Sequence, residues 1–286
     1  VLRSLFAGIS GLRVNQVMLD VTGNNIANAN TVGFKSSSTV FSDTLSQMLT
    51  SGSSPNAAAN RGGSNPIQVG LGVQLAATNT NFNQGSNQTT GRSTDLMIQG
   101  DGMFVVKKGN DTVYTRAGAF SFDEDANLVA PGGGLVMGFT DFNQTTGVRN
   151  NDSTGKITLP KDDGGTPAHA LKSYEIGTDG KVTATFDDDS SRIIGQVVIA
   201  NFTNPMGLEK VGGTGFRTTA NSGAAELGAA GEGGRGEVVP GSVEMSNVDL
   251  AQEFTNLILA QRGFQASSRV ITTSDQVLEE LVNIKR

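Results

Sequence analysis

The chain has 286 residues, no cysteine, one histidine and a net charge of −6; disulfides, thiolate metal sites and a cysteine nucleophile are excluded. Its pI near 4.9 argues against broad nucleic-acid binding, which needs a basic stripe. Hydrophobic residues make up 36% and glycines number 38, so turns, loops and thin β-layers are expected rather than a thick core, and with two tyrosines and no tryptophan a large aromatic ligand pocket is not.

Residues 2–28 read as a helix. Leu2, Leu5, Ile9, Leu12, Gln16, Leu19, Gly23 and Ile26 follow alternating steps of three and four, and Val14, Val17 and Val21 add a second stripe. The apolar run Leu5–Ile9 stops at Ser10 and Arg13 follows, which argues against a cleaved signal peptide; export from the cell would need another route. Asn24, Asn25, Asn28 and Asn30, with Gly33 beyond, suit a C-terminal turn. Val40, Phe41, Leu45, Met48 and Leu49 suggest a short amphipathic piece, and 50–66 reads as a flexible or extended linker.

From Ile67 the period moves toward two. Strands are expected at 67–76, 95–99, 103–108, 112–115, 119–122, 127–130, 135–139, 155–159, 173–177, 181–186 and 193–202. Residues 177–180 and 187–190 mark turns, and 220–237 is Gly-rich and nearly featureless. Residues 248–284 form the second long helix, with Ser246 or Asn247 as N-cap and Asp249 at the positive end of the dipole. Its spacing is that of a coiled-coil seam: Leu250, Phe254, Leu257, Gln261, Phe264, Ser268, Ile271, Asp275, Leu278 and Val282. No stretch of about 18 apolar residues marks a transmembrane helix.

The fold class is therefore α+β, with paired N- and C-terminal long helices, coiled-coil-like, and an inserted β-rich body. Residues 1–40 with 246–286 form a helical inner domain, 41–75 a linker and 76–245 the β-rich domain. Within it, 141–168 is polar and reads as a small excursion or loop.

Enzyme chemistry finds little support. His169 alone cannot build a two-histidine metal site. Asp187, Asp188 and Asp189, like Asp123, Glu124 and Asp125, read as solvated turns, and 123–127 lacks the Gly and distal Glu of a calcium loop. Gly100, Gly102 and Gly132–Gly134 lack the Lys-Ser/Thr of a phosphate loop. Neither catalytic nor metal-binding residues nor a cofactor are expected. The helices carry the stronger signal. Ile258, Leu259, Val270, Val277, Leu281 and Ile284 lie off the main stripe, and a helix apolar on two faces needs two neighbours. Polar seam positions such as Gln16, Gln261, Ser268 and Asp275 set register. Packing is assigned to Leu2, Leu5, Ile9, Leu12, Leu19 and Ile26 on the first helix, and to Leu250, Phe254, Leu257, Ile258, Gln261, Phe264, Ile271, Leu278 and Leu281 on the second.

The run Asp20-Val21-Thr22-Gly23-Asn24-Asn25-Ile26-Ala27-Asn28-Ala29-Asn30-Thr31-Val32-Gly33-Phe34-Lys35 resembles the N-terminal motif of flagellar rod and hook proteins. Ser246-Asn247-Val248-Asp249 and Ala260-Gln261-Arg262-Gly263-Phe264-Gln265 are similar to their closing motif. Gly91–Ile98, Gly100–Phe104 and Tyr114-Thr115-Arg116-Ala117-Gly118 also look like that family, and Ile194–Phe202 and Val243–Leu250 look hook-like. The resemblance singles out Asn24, Asn25, Asn28, Gly33, Phe34, Asn247, Asp249 and Arg262 as motif residues. It implies a helical tubular polymer with the helices inside and the β-body outside. It implies a short flagellar hook subunit without a large outer domain, a flexible joint carrying motor torque to the filament. The linker is reminiscent of distal rod proteins, which keeps a rod subunit as the alternative. Implied partners are further copies of the chain, distal rod and hook–filament junction proteins, the hook cap and the type III export apparatus, with no nucleic acid and no membrane insertion. The implied location is the extracellular flagellum. A secreted β-rich adhesion or binding module is the reading from another class.

Overall fold

In the computed structural model α1 spans Leu2–Ala27 and α2 spans Leu250–Ile284, so the chain is α+β, with paired terminal helices and a β-rich body between them in sequence. Described are residues 2–55, 62–143, 149, 151–162 and 169–284. They divide into a helical unit, Val1–Ala27, Ser37–Thr80 and Asp249–Arg286, and a β unit, Asn28–Ser36 and Asn81–Val248.

In the helical unit α1 and α2 run antiparallel. Ser4 Oγ meets Ser274 Oγ at 3.3 Å at one end, and Asn25 Nδ2 donates to Glu253 Oε1 at 3.0 Å at the other. Asp249 caps α2, its Oδ1 accepting the backbone N–H of Ala251 (2.9 Å) and Gln252 (3.2 Å). The cap is therefore one residue before the first helical position, in place of the expected Ser246 or Asn247.

Within the segment expected as a linker, 41–75, the described residues hold two strand pairs. β1 (Ser37–Asp43) pairs antiparallel with β4 (Val73–Thr80), and β2 (Ser46–Thr50) with β3 (Ile67–Gly70). The bonds Thr44 N–H to Gly72 O and Leu71 N–H to Leu45 O join the two ladders into one ribbon. Residues 56–61 of the expected linker lie outside the described residues, as does part of the expected excursion at 144–148, 150 and 163–168. The ribbon bends at Gly72 (φ +125°), whose missing Cβ leaves room for Ser10 of α1. That break divides the single strand expected over 67–76.

The β unit is built on one sheet. Its main path runs Leu171–Ile176, Lys181–Phe186, Ser191–Val197, Gly134–Phe139, Met103–Lys108, Asp111–Thr115, Gly215–Arg217 and Glu209–Gly212, each pair antiparallel. Alternate residues of one strand enter two separate cores. Phe104 and Val106 join Leu96, Ile98, Phe120, Val136, Val182 and Val238 on one face. Met103 and Val105 join Tyr114, Phe139, Val198, Phe202 and Phe216 on the other. A sheet covered on both faces is thicker than composition suggested; the apolar residues are few but concentrated on the central strands. The segment 154–159 belongs to this core, with Thr154–Lys156 paired to Gly134–Phe139 and Ile157 and Leu159 buried. Short strands at Asn87–Thr89, Glu226–Gly228, Glu237–Pro240 and Ser242–Glu244 fall where no period was visible.

Candidate functional site

Two features stand out: the faces of the helical pair, and a buried ionic hub in the β unit. Small residues make the helix contact. A methyl on Gly8 would stand 3.2 Å from Ile271 Cγ1, and one on Gly11 3.0 Å from Ser267 Oγ; one on Gly263 would press on the Asn15 amide. Ala260 and Ser274 are the buried residues of α2. The α1 contacts, at Ser4, Gly8, Gly11, Asn15 and Asn25, sit one residue before the expected apolar stripe. On α2, Glu253, Ala260, Ser267 and Ser274 take the place expected for Phe254, Gln261, Ser268 and Asp275. The reason is close approach: small side chains let two backbones come near, as large ones do not.

The expected packing residues thus divide. Leu5, Ile9, Leu12, Leu19 and Ile26 on α1, and Leu257, Phe264, Ile271 and Leu278 on α2, are half-buried at the edges of the contact. Leu250, Phe254, Ile258 and Leu281 are 44–53% exposed, Leu259 is 63% exposed, and Gln261 is exposed as well. The side chain of Leu2 lies outside the described residues. Large apolar groups at this exposure leave α2 with an uncovered surface around much of its girth.

The motif residues at the end of α1 do local work. Buried Asn25 donates to Ser37 O (2.8 Å) and accepts the Ser37 N–H (3.0 Å), which ties α1 to the start of β1. Asn28 Oδ1 accepts from Thr31 Oγ1 (3.0 Å) and closes the turn after α1. Gly33 has φ +69°, and a Cβ there would meet the backbone of Ala117. Phe34 lies under Lys210 Nζ, 5.1 Å from the ring centroid. Asn24 and Arg262 are exposed.

The hub centres on Glu244, whose side chain is 0% exposed. Lys35 Nζ donates to Glu244 Oε1 at 2.6 Å, and Arg116 Nη1 donates to Oε2 at 3.2 Å. The Gly85 N–H adds a third bond, to Oε1, at 2.8 Å. The cations are also held by carbonyls: Lys35 by Asn83 O, and Arg116 by Ile98 O and Gly100 O. Burial pushes both the Lys35 ammonium and the Arg116 guanidinium down from their usual range, and Glu244 opposes that shift. Next to it Asn247 accepts the Ser36 N–H (2.8 Å) and donates to Asn81 O (2.8 Å) and Asn83 O (3.0 Å). Segments 33–36, 81–85 and 244–247 are thereby fastened together inside the β unit. They include the residues next to two of the four places where the chain passes to or from the helical unit, Ser36 and Asn81. With one carboxylate shared by two cations, and carbonyls taking further N–H groups of those cations, the hub holds chain segments together. Sequence reasoning quoted Lys35, Arg116 and Glu244 only as motif letters; nothing in spacing marks three residues so far apart as partners.

His169, the lone histidine, lies 3.9 Å from Asp188 on the surface. No group of three His, Asp or Glu that could hold a metal occurs among the described residues.

Three family models match this chain: a flagella basal body rod protein model over 5–35, a flagellar hook protein FlgE/F/G D1 domain model over 97–184, and a flagellar basal body rod FlgEFG protein C-terminal model over 239–284. The flagellar basal-body rod protein FlgG of Bacillus subtilis is 44% identical over 286 residues, covering 100% of both chains. The chain belongs to the flagellar rod and hook protein family. Other relatives bear the hook name. The hook protein FlgE of Borreliella burgdorferi is 29% identical over 442 aligned residues, covering 99% of this chain and 100% of that one. The hook protein FlgE of Helicobacter mustelae is 47% identical over 140 residues, 48% of this chain and 31% of that one. Rod and hook proteins are structural, and this member is not an enzyme. No helix among the described residues is long and apolar enough to cross a membrane. The first model covers α1 from Leu5 together with the hub's Lys35, and the last covers Glu244 and α2, so most of the helical pair and of the hub lies within family-matched sequence.

Proposed function

We propose that this chain is a building block of the flagellar axial tube, polymerising through its terminal helices in a coiled-coil-like inner layer with the β unit outside. The observation that carries this is the exposed apolar girth of α2. Ile258, Leu259, Val270, Val277 and Leu281 are 41–63% exposed, and covering each is worth on the order of 1 kcal/mol. A rod subunit is the favoured reading, because a rod relative matches end to end in 286 residues while a hook relative needs 442 aligned positions. The hook reading rests on the 47% identity to a hook protein over 140 residues; there the chain would serve as a flexible joint for motor torque. Both readings place the protein in the axial structure of the flagellum.

Ile258→Lys tests the polymer. The substitution sits on an exposed face, so the monomer's circular dichroism should not change. Tubes seen by electron microscopy under assembly conditions should be lost, because a lysine buried without a partner costs several kcal/mol. Normal tubes with Ile258→Lys would remove the multi-neighbour packing. Supplying the chain to cells lacking either the rod or the hook subunit separates the two readings by which structure is restored.

A further inference from the structure

Within the helical unit, α1 and the ribbon enclose a groove of about 410 Å³. Phe6, Ile9, Val17, Leu71 and Leu75 line it, with Arg13 among them. Phe6 is 65% exposed and Leu71 and Leu75 are each 39% exposed. The chain's own α2 does not reach this groove. At about 100° per residue, Phe6, Arg13 and Val17 lie on the face of α1 opposite Ser4, Gly8 and Gly11, which hold α2.

We propose that the groove receives the outward stripe of the last turns of α2 from a second copy of this chain. That stripe is Val277, Leu281 and Ile284, which are 41%, 53% and 81% exposed and fall within about 60° of one another around the helix. Charge selects this occupant. The groove lining carries Arg13 and no acid; Asp20 of α1 and Asp43 of the ribbon lie outside it. Between Val270 and Ile284 the charges are Asp275, Glu279 and Glu280, with no base before Lys285 and Arg286. Glu280 flanks the stripe and would face Arg13 when the stripe is seated. Groove and stripe are different patches of one unit, so their pairing is heterologous and, where the rotation between copies does not close a ring, repeats as an open helix. This inference rests on the polymer reading and names the surfaces that meet.

The absence of cysteine gives a clean test. Leu75→Cys and Leu281→Cys full-length chains, mixed and assembled under mild oxidation, should form a disulfide-linked dimer. Each variant alone should not, and neither should Leu281→Cys mixed with Leu45→Cys, which lies outside the groove lining. Arg13→Glu should slow tube elongation by up to about fivefold, and adding Glu280→Arg should restore it. Tubes that form without the Leu75–Leu281 cross-link, or that ignore the charge reversal, overturn the groove assignment and leave the polymer intact. A wild-type chain that never forms tubes overturns the polymer, and the groove assignment with it.

Discussion

The two units use their apolar residues in opposite ways. In the β unit Phe104, Val106, Met103 and Val105 alternate into two cores and all four are buried. In the helical unit the buried positions are Gly8, Ala260 and Ser274 among a few others, while Phe254, Ile258, Leu259 and Leu281 face outward. One unit closes on itself. The other is incomplete, because a helix contact made of glycine, serine and alanine buries little area and leaves the larger groups without neighbours. The lesson is that self-sufficiency and readiness to assemble can be read from where the large side chains go. Helix propensity tells little, since isolated helices gain most of their stability from packing.

Truncation breaks the comparison most severely. Deleting 1–27 should leave the β unit folded, with its β-sheet circular dichroism and cooperative melting retained, because every residue removed belongs to the helical unit. Deleting 1–36 should abolish that melting, since Gly33 and Lys35 go with it. Equal behaviour of the two truncations would mean that the segment 28–36 is not part of the β unit's stability.

Glu244→Gln is the next largest effect. It leaves Lys35 and Arg116 buried without a counter-charge, so the β unit should lose about 3–5 kcal/mol in urea unfolding. Lys35→Met should cost less, because Glu244 keeps its bond to Arg116 and a thioether fills much of the lysine stem's space. If Lys35→Met proves the more harmful, the hub is not organised around the carboxylate.

Sequence and structure agree best where the pattern is long. Both terminal helices and the central strands 96–108 and 181–186 were legible because their periods persist. The helix contact was legible in kind and displaced by one residue, since hydropathy tracks leucine and isoleucine while the real contact prefers Gly8, Gly11, Ala260 and Ser267. Of the ribbon, the return half was legible from the alternation of Ile67, Val69, Leu71, Val73 and Leu75; its partners β1 and β2 were not, because Ser37–Asp43 and Ser46–Thr50 mix serine and threonine with apolar residues in no regular period. The hub was illegible because its members are 81 and 128 residues apart along the chain, at 35, 116 and 244, and charge pairing at that separation leaves no local trace. Motif likeness drew attention to those residues without supplying a role.

The finest comparison lies between two residues separated by one position. Asn247 belongs to the β unit and Asp249 to the helical unit. Asn247→Ala removes the bonds to Ser36, Asn81 and Asn83 and should lower the β unit's stability by about 2 kcal/mol, at roughly 1 kcal/mol or less for each bond. The amides of α2 should exchange as before. Asp249→Ala should do the reverse, with a smaller effect of about 1 kcal/mol. It frees the N–H groups of Ala251 and Gln252 and removes a negative charge from the positive end of the helix. Hydrogen exchange should therefore quicken through the first turns of α2 while the β unit's melting stays put. Asp249→Asn should recover most of the loss, because the amide oxygen still accepts those N–H groups. If Asp249→Ala instead lowers the melting of the β unit, or if Asn247→Ala loosens α2, the division between the units does not fall at residue 248.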